Sequence, residues 1–386
     1  MQKKENERPL TKVEAIRKKH KSAAILYWIK KKHREMESVH GFFDVNKKIE
    51  ANQDGIYRVA SISKVITALA AMTLYEKGQL DIQDRVDHYL DYELNNPHFK
   101  KVPIKILHLM NHTSTIKDYY QPLYQIKPRG FKTLPKLSDI FTKEGSLNNR
   151  DKTWSNVAPP GHSESFQYSN LNTVILASII ERISNMRFDQ YCHQVIFDPL
   201  KMNDSTFNLF KLSLERSAPL YSHYDPEDTE GNTVNYDARE RVKLLKSNGF
   251  QMKDYELGEH TAFFGPQGNL QTTLEDLKQL CLAMKDRTAI LKKETYELME
   301  TPAWQDHALE GFYRQKGLNL HILDHDVYSD YQFYGHSGMA YGILTQMYYD
   351  PKKDTCMIFF INGSQSNYKN GLHEIEREVV KTLLED

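Results

Sequence analysis

The chain of 386 residues is long enough for one large or two modest domains with a substantial core, and its apolar fraction of 40% is ordinary for a folded globular protein. Its 51 basic and 51 acidic residues cancel, which removes any overall charge argument for nucleic acid binding. No apolar run is long enough for a membrane span, so no integral membrane segment is expected. The isolated cysteines Cys192, Cys281 and Cys356 sit beside apolar residues and read as small core residues, not as a disulfide framework or metal site.

The first residues, Met1 to Arg8, have no apolar run of the kind a signal peptide needs. The expectation is a cytoplasmic chain, or an extracytoplasmic one if a leader has been removed. Thr11 is placed to cap a helix from Lys12 to about Lys21. Lysine and arginine are enriched between Lys12 and Arg34, which fits a solvated helix face and hairpin, or an anionic docking surface. Ala23 to Ile29 reads as a buried strand and Glu37 to Phe43 as its partner, across a turn near Lys31-Lys32-His33. Ile56 to Val59 leads into a long apolar helix that ends at Gly78. Residues 79 to about 160 are mixed, and Gln121 to Pro160 predicts an irregular excursion.

Leu171, Val174, Ile175 and Ile179 give helical spacing, with Ser178 on the same face as a small residue for close packing. Thr272 with Glu275 resembles a capping box for a helix through Leu277, Leu280 and Met284. Ile343 to Tyr349 and Thr355 to Ile361 flank Asp350 to Asp354 as a hairpin. A final helix buries Leu372, Ile375, Val379 and Leu383. Strands therefore lie at both ends and helices in the middle. The expected fold is α+β: an antiparallel sheet built from both chain ends, flanked by helices, with a mostly helical inserted lobe. The expected organisation is one domain over residues 10–384, with a sheet lobe of 10–78 plus 305–384 and a helical lobe of 79–304.

Ser61-Ile-Ser-Lys64 heads the apolar helix. Residues three apart share a helix face, so the Lys64 amine lies over the Ser61 hydroxyl. A serine alcohol needs such a base to become a nucleophile, and burial favours the neutral amine. The spacing alone recurs by chance: Ser114 with Lys117 and Ser366 with Lys369 match it, but neither opens an apolar helix. Tyr168-Ser169-Asn170 follows a loop and precedes the Leu171 helix. Tyr168 is a candidate base if a cation favours its phenolate, and Asn170 offers both a donor and an acceptor. The same residues also fit a helix cap beside a packed tyrosine. Gly335-His336-Ser337-Gly338 precedes a strand and permits close backbone approach to a ligand, or else forms a turn with a solvated histidine.

These motifs occur in one order, and the chain from about residue 10 to 384 resembles the serine β-lactamase and D-alanyl-D-alanine carboxypeptidase superfamily, on the side of class C enzymes and family VIII esterases. The likeness runs through Tyr57 to Lys64, Leu107 to Ser114, Pro160-Gly161, Tyr168 to Leu171, Phe197 to Met202, Gly268-Asn269-Leu270 and Gly335 to Gly338. The resemblance implies a β-lactamase/transpeptidase-like fold and a serine hydrolase forming an acyl-enzyme on Ser61. Lys64 is then the proton-transfer partner, Tyr168 the base, and Asn170, His336, Ser337 and Gly338 substrate-binding residues. The backbone N–H groups of Ser61 and Met339 become the oxyanion hole. No metal or other cofactor is required. The implied partners are small molecules: an ester, a D-alanyl peptide or a β-lactam.

The chain also departs from the pattern. His336 stands where many members carry lysine, and a histidine is only partly charged near neutrality. Thr115 and Asn269 stand where glycine is usual. Tyr331, Phe333, Tyr334 and Tyr341 suggest an aromatic wall or simple strand packing. An esterase or D-alanyl hydrolase is the leading expectation, followed by a true β-lactamase. A non-catalytic binding protein on the same fold is the alternative of another class.

Overall fold

Ala24 to Ile29 is apolar at every position, which is the pattern of a strand covered on both faces, and it forms the middle of the molecule. The structure is a computed structural model that describes residues 2–119, 123, 129–228, 231–306, 314–324, 328, 330–369 and 371–385. In chain order, α1 (Gln2–Lys19) precedes β1 (Ala24–Lys31), β2 (Arg34–Asp44), β3 (Ile49–Glu50), β4 (Tyr57–Arg58) and α2 (Ser63–Glu76). Then come α3 (Ile106–Met110), α4 (Asn170–Ser184), β5 (Gln271–Thr272) and α5 (Leu274–Asp286). The last part holds β6 (Trp304–Gln305), β7 (Gln315–Lys316), β8 (His321–Leu323), β9 (Phe333–Ala340), β10 (Ile343–Asp350), β11 (Thr355–Asn362) and α6 (Glu374–Glu385).

The two chain ends build one antiparallel sheet, in the order β3-β2-β1-β11-β10-β9-β8-β7-β6 among the described residues. Strand β1 pairs with β11 from Ala24↔Asn362 to Lys31↔Thr355, so the N- and C-terminal strands lie side by side at the centre. Successive side chains alternate between faces. Ile25, Tyr27, Ile29, Phe359 and Ile361 meet Val13, Ile375, Val379 and Leu383 of the two terminal helices. Ala24, Leu26, Trp28, Ile358 and Phe360 meet Val65, Leu69, Val174 and Leu277 on the other side. Each such buried aliphatic or aromatic side chain contributes about 1.5–3 kcal/mol. Helix α5 lies on β10 and β11, so the sheet is covered by a helix from the middle of the chain as well.

Every residue of α2 from Ser63 to Leu74 is buried, as expected of a helix that is apolar all round. Gly78, at φ 67°, ends this segment. The hairpin of β10 and β11 closes as expected, with Asp350 Oδ1 accepting the N–H groups of Lys352 and Lys353.

Some local expectations are corrected. Helix α1 begins upstream of Thr11, because the glutamine, lysine and glutamate residues before it are good helix formers. The cap of α5 is Thr273, whose side chain accepts the Asp276 N–H. Thr272 lies in β5 and contacts Ser205 instead. Leu372 is buried but precedes α6. Of the irregular excursion, residues 121–122 and 124–128 lie outside the described residues. Residues 129–160 carry single-turn helices such as Ser138–Phe141 and Arg150–Thr153.

One buried carboxylate ties α4 to the chain that returns toward α2. Glu181 accepts hydrogen bonds from Phe188 N (2.7 Å), Tyr255 Oη (2.6 Å), Gly258 N (2.7 Å) and Thr261 Oγ1 (2.6 Å). Ser178, the small residue on this helix, donates to Gly258 O at 2.5 Å. Removing the carboxylate strands several buried donors. Glu181→Ala is expected to lower stability by about 1–3 kcal/mol, measured by denaturant unfolding. A loss below 1 kcal/mol, within the range of an ordinary surface change, rejects this role for Glu181.

Candidate active site

Ser61 is presented by a sharp backbone turn. Strand β4 pairs with β5, and Val59 N then donates to Leu270 O. Ala60 follows at φ 48°, a conformation that costs a non-glycine residue about 1–3 kcal/mol. The Ser63 hydroxyl holds this turn. It donates to Ala60 O at 2.6 Å and accepts the Leu270 N–H at 3.0 Å. A single turn over Ala60–Ile62 then continues into α2.

The helical spacing places Lys64 Nζ 3.0 Å from Ser61 Oγ. The same amine donates to Asn170 Oδ1 at 2.8 Å and Gln267 O at 2.7 Å. Tyr168 Oη lies 3.0 Å from Ser61 Oγ, on the loop entering α4. Thus Ser61, Lys64, Tyr168 and Asn170 share direct contacts, although Ser61 and Tyr168 are 107 positions apart. Burial lowers the Lys64 pKa to about 7, against an upward pull from Asp118 and with a further downward push from Arg58. Above that pH the amine is increasingly neutral.

The third motif lies in strand β9, not in a turn. A Cβ on Gly338 would come within 2.4 Å of Thr345 Oγ1, 2.5 Å of Val59 O and 3.0 Å of Ser61 N. Only glycine lets the strand run this close to the Ser61 backbone. Thr345 Oγ1 donates to Val59 O at 2.9 Å and fixes the approach. Strand β8 pairs with β9 only from Phe333 to Gly335, so the Ser61 turn lies beside the following part of β9. Ser337 is half-buried, while Met339 is 60% exposed.

His336 is buried and its Nδ1 lies 2.5 Å from Ser337 O. Burial, reinforced by Lys316 and Lys64, pushes its pKa well below the ordinary value. The expectation of a partly charged or solvated histidine is therefore corrected: His336 is neutral near pH 7. The aromatic wall is corrected too. Tyr331 and Phe333 stack on each other, with Phe333 under the terminal helices, and Tyr334 packs on Tyr349. Tyr341 alone of the four meets Arg58, whose guanidinium lies 4.5 Å from its ring and 5.1 Å from that of Tyr236.

Sequence reading missed Asp118. Its Oδ1 accepts the Asn170 and Leu171 N–H groups, and its Oδ2 accepts Asn170 Nδ2. This caps α4 and turns Asn170 Oδ1 toward Lys64. No local pattern marks Asp118. Gln267 O, a backbone group, was equally invisible, as was Lys316, whose Nζ lies 5.9 Å from the centre of the Tyr168 ring. His112 lies inside the Leu107 to Ser114 stretch of the likeness but was given no role, and its ring lies 4.5 Å from that of Tyr168. The competing serines have structural partners: Ser114 donates to Asn172, and Ser366 contacts His373. Thr115 sits at φ 69°, which explains why glycine suits the position. Here Asn96 Nδ2 bonds its hydroxyl at 2.8 Å. Asn269 needs no such φ and packs its Cβ against Gly265.

Among the described residues, one group has metal-ligand spacing: His20, Glu374 and Glu378, between the terminal helices. Lys19 already pairs with both carboxylates. No described helix is long and apolar enough to cross a membrane.

A helical layer packed on an antiparallel sheet built from both chain ends is a β-lactamase/transpeptidase-type fold. A family model described as Beta-lactamase matches residues 11–380, and the chain belongs to that family. It is 31% identical over 177 residues to Penicillin-binding protein 4* of Bacillus subtilis (strain 168), covering 46% of this chain and 36% of that protein. It is 28% identical over 202 residues to Protein flp of Staphylococcus aureus (strain MW2), covering 50% and 36%. The matches thus span little more than a third of these curated relatives. The fold is similar to an octameric penicillin-binding protein homologue from Pyrococcus abyssi (TM-score 0.70, 23% identity, covering 99% of this chain and 77% of that one). It is also similar to D-amino acid amidase from Ochrobactrum anthropi SV3 (TM-score 0.71, 18% identity, covering 98% and 97%).

Asp118 pulls the Lys64 pKa upward and orients its acceptor. Asp118→Asn removes the charge, so the acid limb of kcat/KM, expected near pH 7 from Lys64, should move to lower pH. The plateau should fall by about tenfold to a hundredfold because Asn170 is no longer held. A pH–rate profile checks both. A limb that moves upward contradicts the electrostatic account.

Proposed function

We propose that this protein is a serine hydrolase that forms an acyl-enzyme on Ser61 and cleaves an ester or a D-amino-acid amide. The observation that carries the reading is the contact of Ser61 Oγ with both Lys64 Nζ and Tyr168 Oη at 3.0 Å. An alcohol held between an amine and a phenol has a route for its proton as it attacks a carbonyl. Tyr168 takes that proton in this reading, and Lys64 shares the charge. Asn170 holds the Lys64 amine or a substrate amide. Return of the proton to the leaving group gives the acyl-enzyme, and water activated through Tyr168 releases it. The N–H groups of Ser61 and Met339 receive the developing oxyanion, each such donor contributing about 2.7–4 kcal/mol in the transition state.

Support for the ester or amide preference comes from the third motif. A β-lactam that presents a carboxylate there requires a cation, and His336 is buried and neutral. The names of the relatives and structural neighbours, penicillin-binding proteins and a D-amino acid amidase, agree with this substrate class. A binding protein without turnover is the less favoured reading, since binding alone has no use for an alcohol, an amine and a phenol in mutual contact.

Incubation with a labelled fluorophosphonate or penicillin, followed by peptide mapping, should place the adduct on Ser61. Ser61→Ala should lose both label and p-nitrophenyl ester turnover, and Tyr168→Phe should be severely impaired. Labelling of folded protein elsewhere, or full turnover by Ser61→Ala, rejects the assignment.

At equal enzyme concentration, a short-chain nitrophenyl ester and a D-Ala-D-Ala peptide should be turned over faster than nitrocefin. Nitrocefin as the best of the three reverses the preference and makes the protein a β-lactamase.

A further inference from the structure

We propose that the seam between the two terminal helices binds a divalent transition-metal ion, zinc above all, through His20 Nε2 and the carboxylates of Glu374 and Glu378. One ligand atom from each of the three residues lies within 4.8 Å of the other two. The site stands apart from Ser61 and takes no part in the proposed hydrolysis. An ion there pins the end of α1 to the start of α6, the two helices that cover the outer face of the sheet.

The backbone holds His20 in place without help from an ion. Helix α1 ends at Lys19, and Lys21 turns the chain at φ 44°. The His20 N–H donates to Ile16 O at 3.0 Å, Ser22 N donates to Arg17 O at 2.9 Å, and His20 O accepts the Gln365 N–H at 3.1 Å. The imidazole is only 6% exposed. Its Nε2 is buried and makes no hydrogen bond of good geometry, although Glu378 Oε1 lies 3.2 Å away. Ligand atoms around a tetrahedral zinc stand about 3.3–3.5 Å apart, given bonds of about 2.0–2.1 Å. This nitrogen and this oxygen are therefore already at the spacing of two ligands of one ion. Glu374 and Glu378 are four positions apart on α6, so both carboxylates lie on one helix face. Glu374 is 49% exposed, which leaves its side chain room to turn inward.

Two carboxylates here face one ammonium. Lys19 Nζ lies 3.7 Å from Glu374 Oε1 and 2.5 Å from Glu378 Oε1, but it leaves the imidazole nitrogen unengaged. The Lys19 side chain is 57% exposed, and an ion pair in water contributes little, so a divalent ion can displace it. Such an ion takes all three groups at once. The donor set also selects the metal. An imidazole with two carboxylates suits zinc and its first-row neighbours, whereas calcium and magnesium favour oxygen ligands alone. Three protein ligands leave one position for water.

The test uses the full chain without a histidine tag, stripped with a chelator and titrated with zinc chloride by calorimetry. One ion per chain should bind. His20→Asn and Glu378→Gln should each weaken that binding by at least about tenfold. Lys19→Met, which removes the competing ammonium, should tighten it by up to about fivefold. Zinc at a hundred times its Kd should raise the Tm of wild type by about 3 °C, and calcium or magnesium should not. Cobalt added in place of zinc should give a visible ligand-field absorption that both His20→Asn and Glu378→Gln lose, a readout that does not depend on stability. No zinc binding by wild type overturns the inference. So does equal binding by wild type and the two folded ligand variants, which puts the ion elsewhere, or weaker binding by Lys19→Met.

Discussion

The site depends on one buried amine. Lys64 is taken wholly out of water, and its nitrogen meets three acceptors, Ser61 Oγ, Asn170 Oδ1 and Gln267 O. Those acceptors offset desolvation, and the remaining penalty brings the pKa to about 7. Each acceptor comes from a different piece of chain. Ser61 is held by the Ala60 turn, Asn170 by Asp118 at the start of α4, and Gln267 by the return segment that Glu181 anchors. The apolar burial of α2 on all sides excludes water from the amine, so core packing and reactivity are one property here.

The sheet meets this helix through glycine. At Gly338 a side chain would collide with the Val59 carbonyl and crowd the Ser61 amide, and Thr345 secures the contact from the neighbouring strand. Central pairing of β1 with β11 fixes the position of β9 two strands away, because β10 bridges β9 and β11 in continuous register. The terminal helices that cover the outer face therefore support the nucleophile at a distance. Their packing keeps the sheet rigid, and the sheet keeps its gap to Ser61 small.

Local features were readable where the physics is local. Ser61 and Lys64 stand three positions apart on an apolar helix, and Ala24 to Ile29 carries its own strand signature. Tyr168 was ambiguous, because a packed tyrosine before a helix looks the same as a base. Asp118 and Lys316 left no signal, since their surroundings come from partners far along the chain, and His112, though inside a quoted stretch, carried no assigned role. Gln267 contributes a carbonyl that every residue type possesses. The exposure of His336 was misread for the same reason: glycines around a histidine suggest a turn, whereas Gly335 at φ 152° lets β9 pass close to Met347 within a sheet. The cap of α5 moved by one residue because strand pairing claimed Thr272 first.

Four of the thirteen non-glycine residues at positive φ among the described residues lie near the site, and the others sit elsewhere in the chain. Ala60, His112, Thr115 and Tyr341 all adopt positive φ without being glycine, and all four belong to segments that border Ser61 or Tyr168. Such conformations persist only when surrounding contacts hold them. Ser63 braces Ala60, the Ser169 N–H bonds His112 Nδ1, Asn96 bonds Thr115, and Arg58 lies against Tyr341. The stability given up at these turns and in the buried lysines is supplied by the apolar layers on either side of β1, which carry no chemistry. A core of this size is what permits a centre this strained and this poorly solvated to keep its geometry.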